Sequence, residues 1–502
     1  MPMTHEPHIS SESRMLIDGK LVAARSGKTF TVVNPATEEV LGEVADGAAV
    51  DMHAAIDAAR KAFDDTTWPV DRGLRRRCLA QLQDALEGER EQLREELILE
   101  AGCPRAVTYG PQLDLPLAEA LRYPAGLIDD YPWEVDLGDR AGLTGAVDNR
   151  RIWREPVGVV GAIVPWNFPV EVTLGKLGQA LATGNTVVLK PAPDTPFNAT
   201  RLGRLVAEHT DIPPGVLNVV TSSDHLVGEE LTLSPKVDLI SFTGSTAVGR
   251  RIMAKGADTM KRVFLELGGK SATIVLEDAD LPASVMLGIG ACLHAGQGCA
   301  IPTRMLLPRS RYDEGVELLR AMYEGVAPGD PQDPATLTGP VISAKQRERI
   351  RAHIRSGVEQ GANLLVGGAE PPEHLPKGWF VSPTLFTDVD NSMTIAQEEI
   401  FGPVLAVIPF DDEDDAVRIA NDSRYGLAGN ICSGSVDRSI ALARRLRAGA
   451  IGINGGAPFG PDVPYGGFKH SGIGRQNGLA GFEQYLEIKA VGWPVTETPS
   501  GR

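Results

Sequence analysis

The chain has no run of about 18 apolar residues, so no segment reads as a membrane-spanning helix. Its first residues, Met1-Pro2-Met3-Thr4-His5-Glu6-Pro7-His8, have neither the basic start nor the apolar stretch of a secretory signal. They read as a short polar tail, and a cytoplasmic protein is the expectation. Basic residues are outnumbered, 49 Lys and Arg against 66 Asp and Glu, for a net charge of −17. A phosphate backbone needs a basic face, so nucleic acid is excluded as a major partner. Cysteine is scarce: Cys78, Cys103, Cys292, Cys299 and Cys432 are scattered and odd in number. That excludes a disulfide framework and fits reduced thiols in a cytosol. No CxxC pair and no cluster of His and Cys offers a zinc site, so no metal is expected. There is no GxGxxG dinucleotide fingerprint, no internal repeat and no low-complexity tract.

What is present is length and an ordinary globular composition. At 502 residues, with 42% hydrophobic and 23% charged side chains, the chain is too long for one core and disorder is not indicated. About two to four domains follow from the length. From Val157 to Leu276 strands and helices alternate. Apolar runs at Val157–Val164, Asn185–Leu189, Val216–Val220, Val237–Phe242 and Ala272–Leu276 read as five buried strands. Helical spacing covers roughly 170–182, 197–209 and 246–255, with Thr195-Pro196 as N-cap and N1 proline of the second. This alternation predicts a parallel, doubly wound sheet, which binds ligands beyond the carboxyl ends of its strands. The stretch 50–105, rich in Ala, Leu, Arg and Glu, reads as amphipathic helices packed on that sheet. A second α/β pattern runs from about 280 to 470, with helices near 310–325 and 343–360 and a strand at Val404–Ile408. Trp133–Val157 alternates loosely, as an extended ribbon would, and Tyr485–Trp493 is strand-like.

Cys299 ends the segment His294-Ala295-Gly296-Gln297-Gly298-Cys299, which leaves little bulk about the sulfur. A lone cysteine is ordinarily a small buried hydrophobe. Here Gly298 and Ala300 leave the thiol accessible, and Gln297 and Arg304 are expected to give it polar surroundings. Glu266 lies 33 residues earlier, in Leu265-Glu266-Leu267-Gly268-Gly269-Lys270. Among apolar residues and glycines, desolvation lifts a carboxyl pKa toward that of a working base; the ordinary alternative is a solvated or capping acid. Asn167, between Pro165 and Pro169, either satisfies a loop or joins the backbone N–H of Cys299 in an oxyanion hole, worth about 3–4 kcal/mol per donor. Ser241–Gly249 reads as a strand-to-helix turn. Backbone N–H groups from Gly244 to Gly249 and the helix dipole would hold a pyrophosphate there, and Ser245 could bond a phosphate oxygen. Nucleophile, base and phosphate-holding turn together suit attack of a thiolate on a carbonyl, removal of hydride by a nicotinamide and release of an acid by water.

The chain also carries Pro165-Trp166-Asn167-Phe168-Pro169, Leu189-Lys190-Pro191-Ala192, Phe242-Thr243-Gly244-Ser245, Glu398-Glu399-Ile400-Phe401-Gly402-Pro403 and Pro464-Tyr465-Gly466-Gly467-Phe468-Lys469. With the Glu266 and Cys299 segments these stand in one order between about Ile17 and Lys489. In these blocks the sequence resembles the NAD(P)-dependent aldehyde dehydrogenases. The resemblance implies an aldehyde dehydrogenase-like α/β fold. A Rossmann-type cofactor domain would comprise 1–132 and 154–265, and an α/β catalytic domain 266–470. A small β oligomerisation arm and tail would comprise 133–153 and 471–502, pairing with a neighbouring subunit in a dimer or tetramer. It implies Cys299 as the nucleophile that carries a thiohemiacetal and then a thioester, Glu266 as the base that activates water, and Asn167 as an oxyanion donor. Cofactor contacts are expected from Ile163, Val164, Pro165, Trp166, Lys190, Gly244, Ser245, Gly249, Leu267, Glu399 and Phe401. Of these, Lys190 would bond the adenosine ribose, Glu399 the nicotinamide ribose, and Phe401 would pack beside the nicotinamide.

The departures bear on selectivity. Three residues after Lys190 the family commonly has an acid that binds the ribose hydroxyls; here stands Pro193, which cannot accept those bonds. Asp194 compensates only if the loop shifts, while Asp224 disfavours a 2′-phosphate by its charge. NAD is the expected cofactor, with NADP admitted by Pro193. Phe168, Val172, Gly175 and Phe459 would line the substrate channel. Gly175 replaces a common bulky aromatic and predicts a wider channel. His294 replaces a usual Asn, and Ile301-Pro302 a pair of small residues. No Arg or Lys stands out as a carboxylate clamp, so an apolar or aromatic aldehyde is expected. An acylating relative that passes the thioester to coenzyme A would tend to lack Glu266. A catalytically silent protein on the same fold would lack the nucleophile, and a cofactor-free thiol hydrolase would have no use for Lys190 and the Gly244–Gly249 turn.

Overall fold

The computed structural model of the chain describes residues 11–143 and 145–495. The polar tail at Met1–His8 and the last residues of the expected arm and tail lie outside the described residues. Two large sheets dominate. The first has five parallel strands in the spatial order Arg262–Glu266, Leu239–Thr243, Val159–Ile163, Thr186–Lys190 and Leu217–Val219. These strands are short apolar runs, largely buried, as strands covered on both faces must be. In chain order the sheet reads fifth, fourth, first, second, third, so winding reverses between the Val159 and Leu239 strands. A doubly wound sheet binds ligands in the crevice at that reversal, outside the carboxyl ends of its strands. Ile163 and Thr243 end the two strands beside it. Antiparallel edges complete the sheet: Gly472–Ile473 on one side, Met15–Ile17 and Lys20–Val22 on the other. Helices Ala49–Asp65, Leu226–Leu233 and Thr246–Gly256 pack together over one apolar core, and Arg72–Gly88, Pro169–Ala182 and Phe197–His209 over another.

Two expectations need correction. The fifth strand of this sheet is Arg262–Glu266, whereas Ala272–Val275 belongs to the second sheet. The sequence disguises the true strand, because charged residues bracket its three apolar positions. The helix Phe197–His209 begins with Pro196 at the N-cap, and Thr195 provides no cap. Instead the buried Glu100 carboxylate accepts from the N–H groups of Phe197 at 2.9 Å and Asn198 at 3.4 Å. A cap supplied from nearly 100 residues away leaves no local signature.

The second sheet runs Asn363–Val366, Thr384–Thr387, Val404–Phe410, Arg304–Pro308, Ala272–Val275, Ala428–Cys432 and Ala450–Ile453. All its pairings are parallel except that of the first edge strand. The segment Leu267-Gly268-Gly269-Lys270-Ser271 leaves the carboxyl end of the Arg262 strand and enters the amino end of the Ala272 strand, so one short linker joins the two sheets. A third sheet stands apart: Glu134–Ala141 and Val147–Pro156 form the ribbon expected from the sequence, and Leu486–Pro494 pairs along the whole of its second strand. Among the described residues no helix is long and apolar enough to cross a membrane.

Candidate active site

Four of the five cysteines are buried, and Cys299 is half-buried. Its segment is shaped by three successive left-handed residues, His294, Ala295 and Gly296, with φ of 49°, 53° and 72°. A Cβ on Gly296 would overlap the Gly402 carbonyl, so glycine is required there. The Cys299 sulfur lies 3.7 Å from the hydroxyl of Tyr465. Burial pushes the thiol well above its ordinary pKa, and the charge of Glu266 pushes the same way; the Tyr465 hydroxyl opposes both. Burial also holds the Tyr465 phenol well above its own ordinary value, so it remains a donor. The polar surroundings expected from Gln297 and Arg304 are not there. The Gln297 amide is engaged with the carbonyls of His294 and Pro340 and the N–H of Ile342. Arg304 is held by the carbonyls of Lys270, Ile419 and Ala420 and by Asn391.

Glu266 ends its strand buried, and its Oε1 has no hydrogen-bond partner. Burial raises its pKa to about 8, against the pull of the Lys176 ammonium and with the push of Glu171 and Glu399. Lys176 is itself buried, with Nζ 4.6 Å from the centre of the Phe264 ring and no hydrogen-bond partner. Burial lowers its pKa to about 8, while Glu266 and Glu171 raise it. Asn167 donates through Nδ2 to the Gln297 carbonyl at 2.9 Å, which leaves its second N–H for a ligand. Its own carbonyl accepts from Gln112 at 2.7 Å and from Nε2 of His294 at 3.1 Å. Burial depresses His294 to about 4, so the ring is neutral and Nε2 carries the proton.

The glycines of the linker have a purpose that the structure makes plain. A Cβ on Gly269 would sit 2.6 Å from the Cys299 carbonyl oxygen, and one on Gly268 would overlap the Glu399 carboxylate. Only bare backbone fits between these two groups. Glu399 accepts from the Gly269 N–H at 3.0 Å. Phe401 takes a left-handed φ of 60°, and its ring meets Trp166 edge to face at 5.4 Å. Gln346 donates to the carbonyls of Ile400 and Phe401, and Arg349 to that of Glu399, so the helix Ala344–Glu359 holds this loop in place.

Around the winding reversal stand the remaining expected residues. Ile163 ends its strand, and the Val164 N–H donates to the Lys190 carbonyl at 3.2 Å. Lys190 is buried at the end of the neighbouring strand; burial lowers it to about 8, opposed by the charges of Asp224, Asp194 and Asp46. Its Nζ has one backbone acceptor, Pro191, at 3.2 Å, and a Cβ on Gly228 would lie 2.8 Å from its side chain. Ser245 is the N-cap of Thr246–Gly256 and accepts from the Val248 N–H at 3.4 Å. Gly249 lets that helix approach Leu267, which a Cβ would meet at 2.7 Å. The structure thus brings Cys299, Glu266 and Asn167 to one place and joins them to the cradle residues through the Gly268-Gly269 linker. Of the channel residues, Phe168 meets His294 at 5.9 Å and Phe459 meets Tyr465 at 5.3 Å, while Val172 is buried in the core. The widening expected at Gly175 is filled: a Cβ there would lie 2.5 Å from the Gln476 amide nitrogen.

Sequence reasoning missed Tyr465, Lys176, Glu171 and Gln476 as members of this site. Glu171 had a signal, being the one acid in an otherwise apolar helix start, although such an acid is favourable beside any helix dipole. Among the described residues no group of three or more His, Cys, Asp or Glu side chains could hold a metal ion.

Comparison with known proteins shows what the chain as a whole resembles. The sequence model of the Aldehyde dehydrogenase family matches residues 21–491. A Pseudomonas protein named 3-succinoylsemialdehyde-pyridine dehydrogenase is 42% identical over 486 residues, which are 95% of this chain and 97% of that protein. A mitochondrial aldehyde dehydrogenase of Leishmania tarentolae is 43% identical over 488 residues, 96% of this chain and 94% of that protein. A solved structure of a Mycobacterium tuberculosis aldehyde dehydrogenase complexed with NAD+ superposes with a TM-score of 0.91 at 43% identity, covering 97% of this chain and 99% of that one.

Proposed function

The chain belongs to the aldehyde dehydrogenase family, and we propose that it oxidises an aldehyde to the carboxylic acid with NAD through a thioester on Cys299. One observation carries the reading: the half-buried thiol of Cys299 lies 3.7 Å from the Tyr465 hydroxyl, at a site that also holds the buried Glu266, whose Oε1 has no hydrogen-bond partner. The cradle fits a dinucleotide. Lys190 has ammonium protons beyond its single backbone bond, Gly228 leaves room for its side chain, and the Gly244–Gly249 turn opens a helix at the winding reversal. Ile163, Val164, Pro165, Trp166, Lys190, Gly244, Ser245, Gly249, Leu267, Glu399 and Phe401 would hold the cofactor. NAD, when bound, supplies the acceptor that takes hydride from the thiohemiacetal carbon and leaves the thioester.

The protein's own groups do the rest. The thiol gives its proton to solvent, Tyr465 donates to the sulfur and favours the thiolate, and the thiolate attacks the carbonyl carbon. The resulting oxyanion is met by the second N–H of Asn167 Nδ2 and by the Cys299 backbone N–H. Ionised Glu266 takes a proton from water at Oε1 as that water attacks the thioester, and its pKa near 8 suits a base working close to neutrality. Phe168, Phe459 and Tyr465 offer aromatic walls, which suit an apolar or aromatic aldehyde body; the Pseudomonas relative is named for a pyridine-bearing semialdehyde. We also read the sheet of Glu134–Ala141, Val147–Pro156 and Leu486–Pro494 as the arm of a homo-oligomer, because its outer strands are largely exposed. The test is absorbance of reduced nicotinamide with a panel of aldehydes, NAD and NADP in parallel, on the natural protein and Glu266→Gln. The variant should give a burst of reduced cofactor followed by slow turnover. Burst and steady rates falling together would assign Glu266 another role, and no reduction with any aldehyde would overturn the reading.

A further inference from the structure

We propose that Glu171 forms a subsite for a positive charge on the aldehyde, so that the preferred substrates carry a protonated or quaternary nitrogen. The inference rests on the aldehyde reading and departs from the neutral aldehyde expected from the sequence. Every residue of the 14-residue helix Pro169–Ala182 is buried except Glu171. Its opening faces the reacting site. One turn earlier, Phe168 packs against His294 and lies within contact distance of the place a Cβ on Gly298 would take. One turn later, Gly175 faces Gln476, whose backbone exchanges two hydrogen bonds with that of Tyr465. Residues three and four apart share a helix face, so Glu171 stands between the nucleophile segment and the Tyr465–Gln476 bridge. Its charge acts on Cys299, Glu266 and Tyr465 alike.

No donor among the described residues forms a hydrogen bond or ion pair with this carboxylate. The nearest cation on its own helix, Lys176, holds Nζ over the Phe264 ring instead. Burial raises the Glu171 pKa to about 7 against the pull of the Lys176 charge, and a ligand cation would favour its ionised form. Phe168 adjoins His294 of the nucleophile segment, and Phe459 packs on Tyr465 beside the Cys299 sulfur; aromatic faces suit a cation as well as an apolar group. Besides raising the pKa of Glu266, the Glu171 carboxylate is placed to recognise a cation.

The test separates this subsite from the reaction. Alkylation of Cys299 by iodoacetamide is followed on the full-length protein with choline or its neutral isostere, 3,3-dimethylbutan-1-ol. Choline should protect at roughly tenfold lower concentration than the isostere, a difference typical of a cation in an aromatic and acidic site. Glu171→Gln should remove that difference. The corresponding aldehydes, trimethylammonioacetaldehyde and 3,3-dimethylbutanal, should show the same ranking in kcat/KM. Equal protection by the two alcohols, or a preference that survives Glu171→Gln, overturns the proposal; should the variant be insoluble, the comparison in the natural protein decides. Selective protection by choline without oxidation of either aldehyde would uphold the subsite and overturn the dehydrogenase reading.

Discussion

The two large sheets present the residues proposed to function from opposite ends. The first uses the carboxyl ends of its strands: Asn167 follows Ile163, Lys190 ends its strand, Gly244 follows Thr243, and Glu266 ends the Arg262 strand. That is the ordinary rule for doubly wound sheets. The second sheet uses the amino ends: Cys299 precedes the Arg304 strand, and Glu399 and Phe401 precede the Val404 strand. The linker Leu267–Ser271 explains the inversion. It passes straight from a carboxyl end to an amino end, so the second sheet meets the first with its strand starts. Fold rules therefore locate the proposed cradle but not the proposed nucleophile, which sits where a free-standing doubly wound sheet would have no site.

The widest separation of the two regions comes from Cys299→Ala. Loss of a covalent nucleophile costs several kcal/mol, so turnover should fall below about a tenth and toward a thousandth of the natural rate. NAD binding, assigned mainly to the first sheet, should persist with its dissociation constant changed by less than about threefold, read by calorimetry. Residual turnover above a tenth would remove Cys299 from its role. A large loss of NAD affinity would show that the two regions are not separable in this way.

Gly268→Ala attacks the junction itself. Its Cβ would overlap the Glu399 carboxylate, in a linker pinned by the Ser471 hydroxyl on the Gly268 carbonyl at 2.7 Å. Overpacking of this kind costs about 1–3 kcal/mol, and kcat/KM should fall roughly ten- to a hundredfold. Thermal unfolding should be lowered by only a few degrees, since Glu399 and its loop can shift. Unchanged kinetics would mean that the alignment of the sheets does not depend on this contact.

How much of this was legible follows the same division. The Val159, Thr186, Leu217 and Leu239 strands announce themselves, because burial on both faces demands apolar β-branched runs, and so do the helices Pro169–Ala182, Phe197–His209 and Thr246–Gly256, whereas Leu226–Leu233 does not. The Arg262 strand does not, and Glu266 was found through its resemblance-bearing segment rather than its strand. Cys299, Glu266 and Asn167 could be named because glycine and proline mark their segments. Tyr465 and Gln476 could not, since their meeting depends on a backbone bridge and on tertiary packing against the Pro169 helix. Lys176 reads as an ordinary helix residue until its burial is known.

Lys176→Met tests the electrostatics that pass between the regions. Glu266 sits near 8, lowered by Lys176 and raised by Glu171 and Glu399, with Cys299 and Tyr465 as its other titratable neighbours. Removing the ammonium makes ionisation of Glu266 harder, so its pKa rises. Deacylation needs the ionised form, and its rise with pH should move upward by about one unit. At pH 7 that is a loss of about tenfold in steady turnover with little change in the burst. A profile that stays in place would show that Lys176 is screened from Glu266.

The smallest effect belongs wholly to the first sheet. Pro193 follows Lys190 by three residues and offers no acceptor to a ribose hydroxyl. Asp194 is half-buried, and burial raises its pKa, which weakens it as a fixed negative charge against a 2′-phosphate. Asp224 is exposed and its carboxylate accepts from the Leu226 N–H at 2.8 Å, so its charge is turned partly to its own helix start. NAD preference should therefore be modest, roughly tenfold in kcat/KM, or about 1.4 kcal/mol. Pro193→Glu adds both an acceptor for NAD and a charge against NADP, and should raise the ratio by about another factor of ten. It should do so through KM for the dinucleotide, leaving the burst and the pH profile of Glu266 unmoved. A natural preference beyond about a thousandfold, or no response to Pro193→Glu, would place discrimination elsewhere in the cradle. A response in the burst would break the division between the sheets.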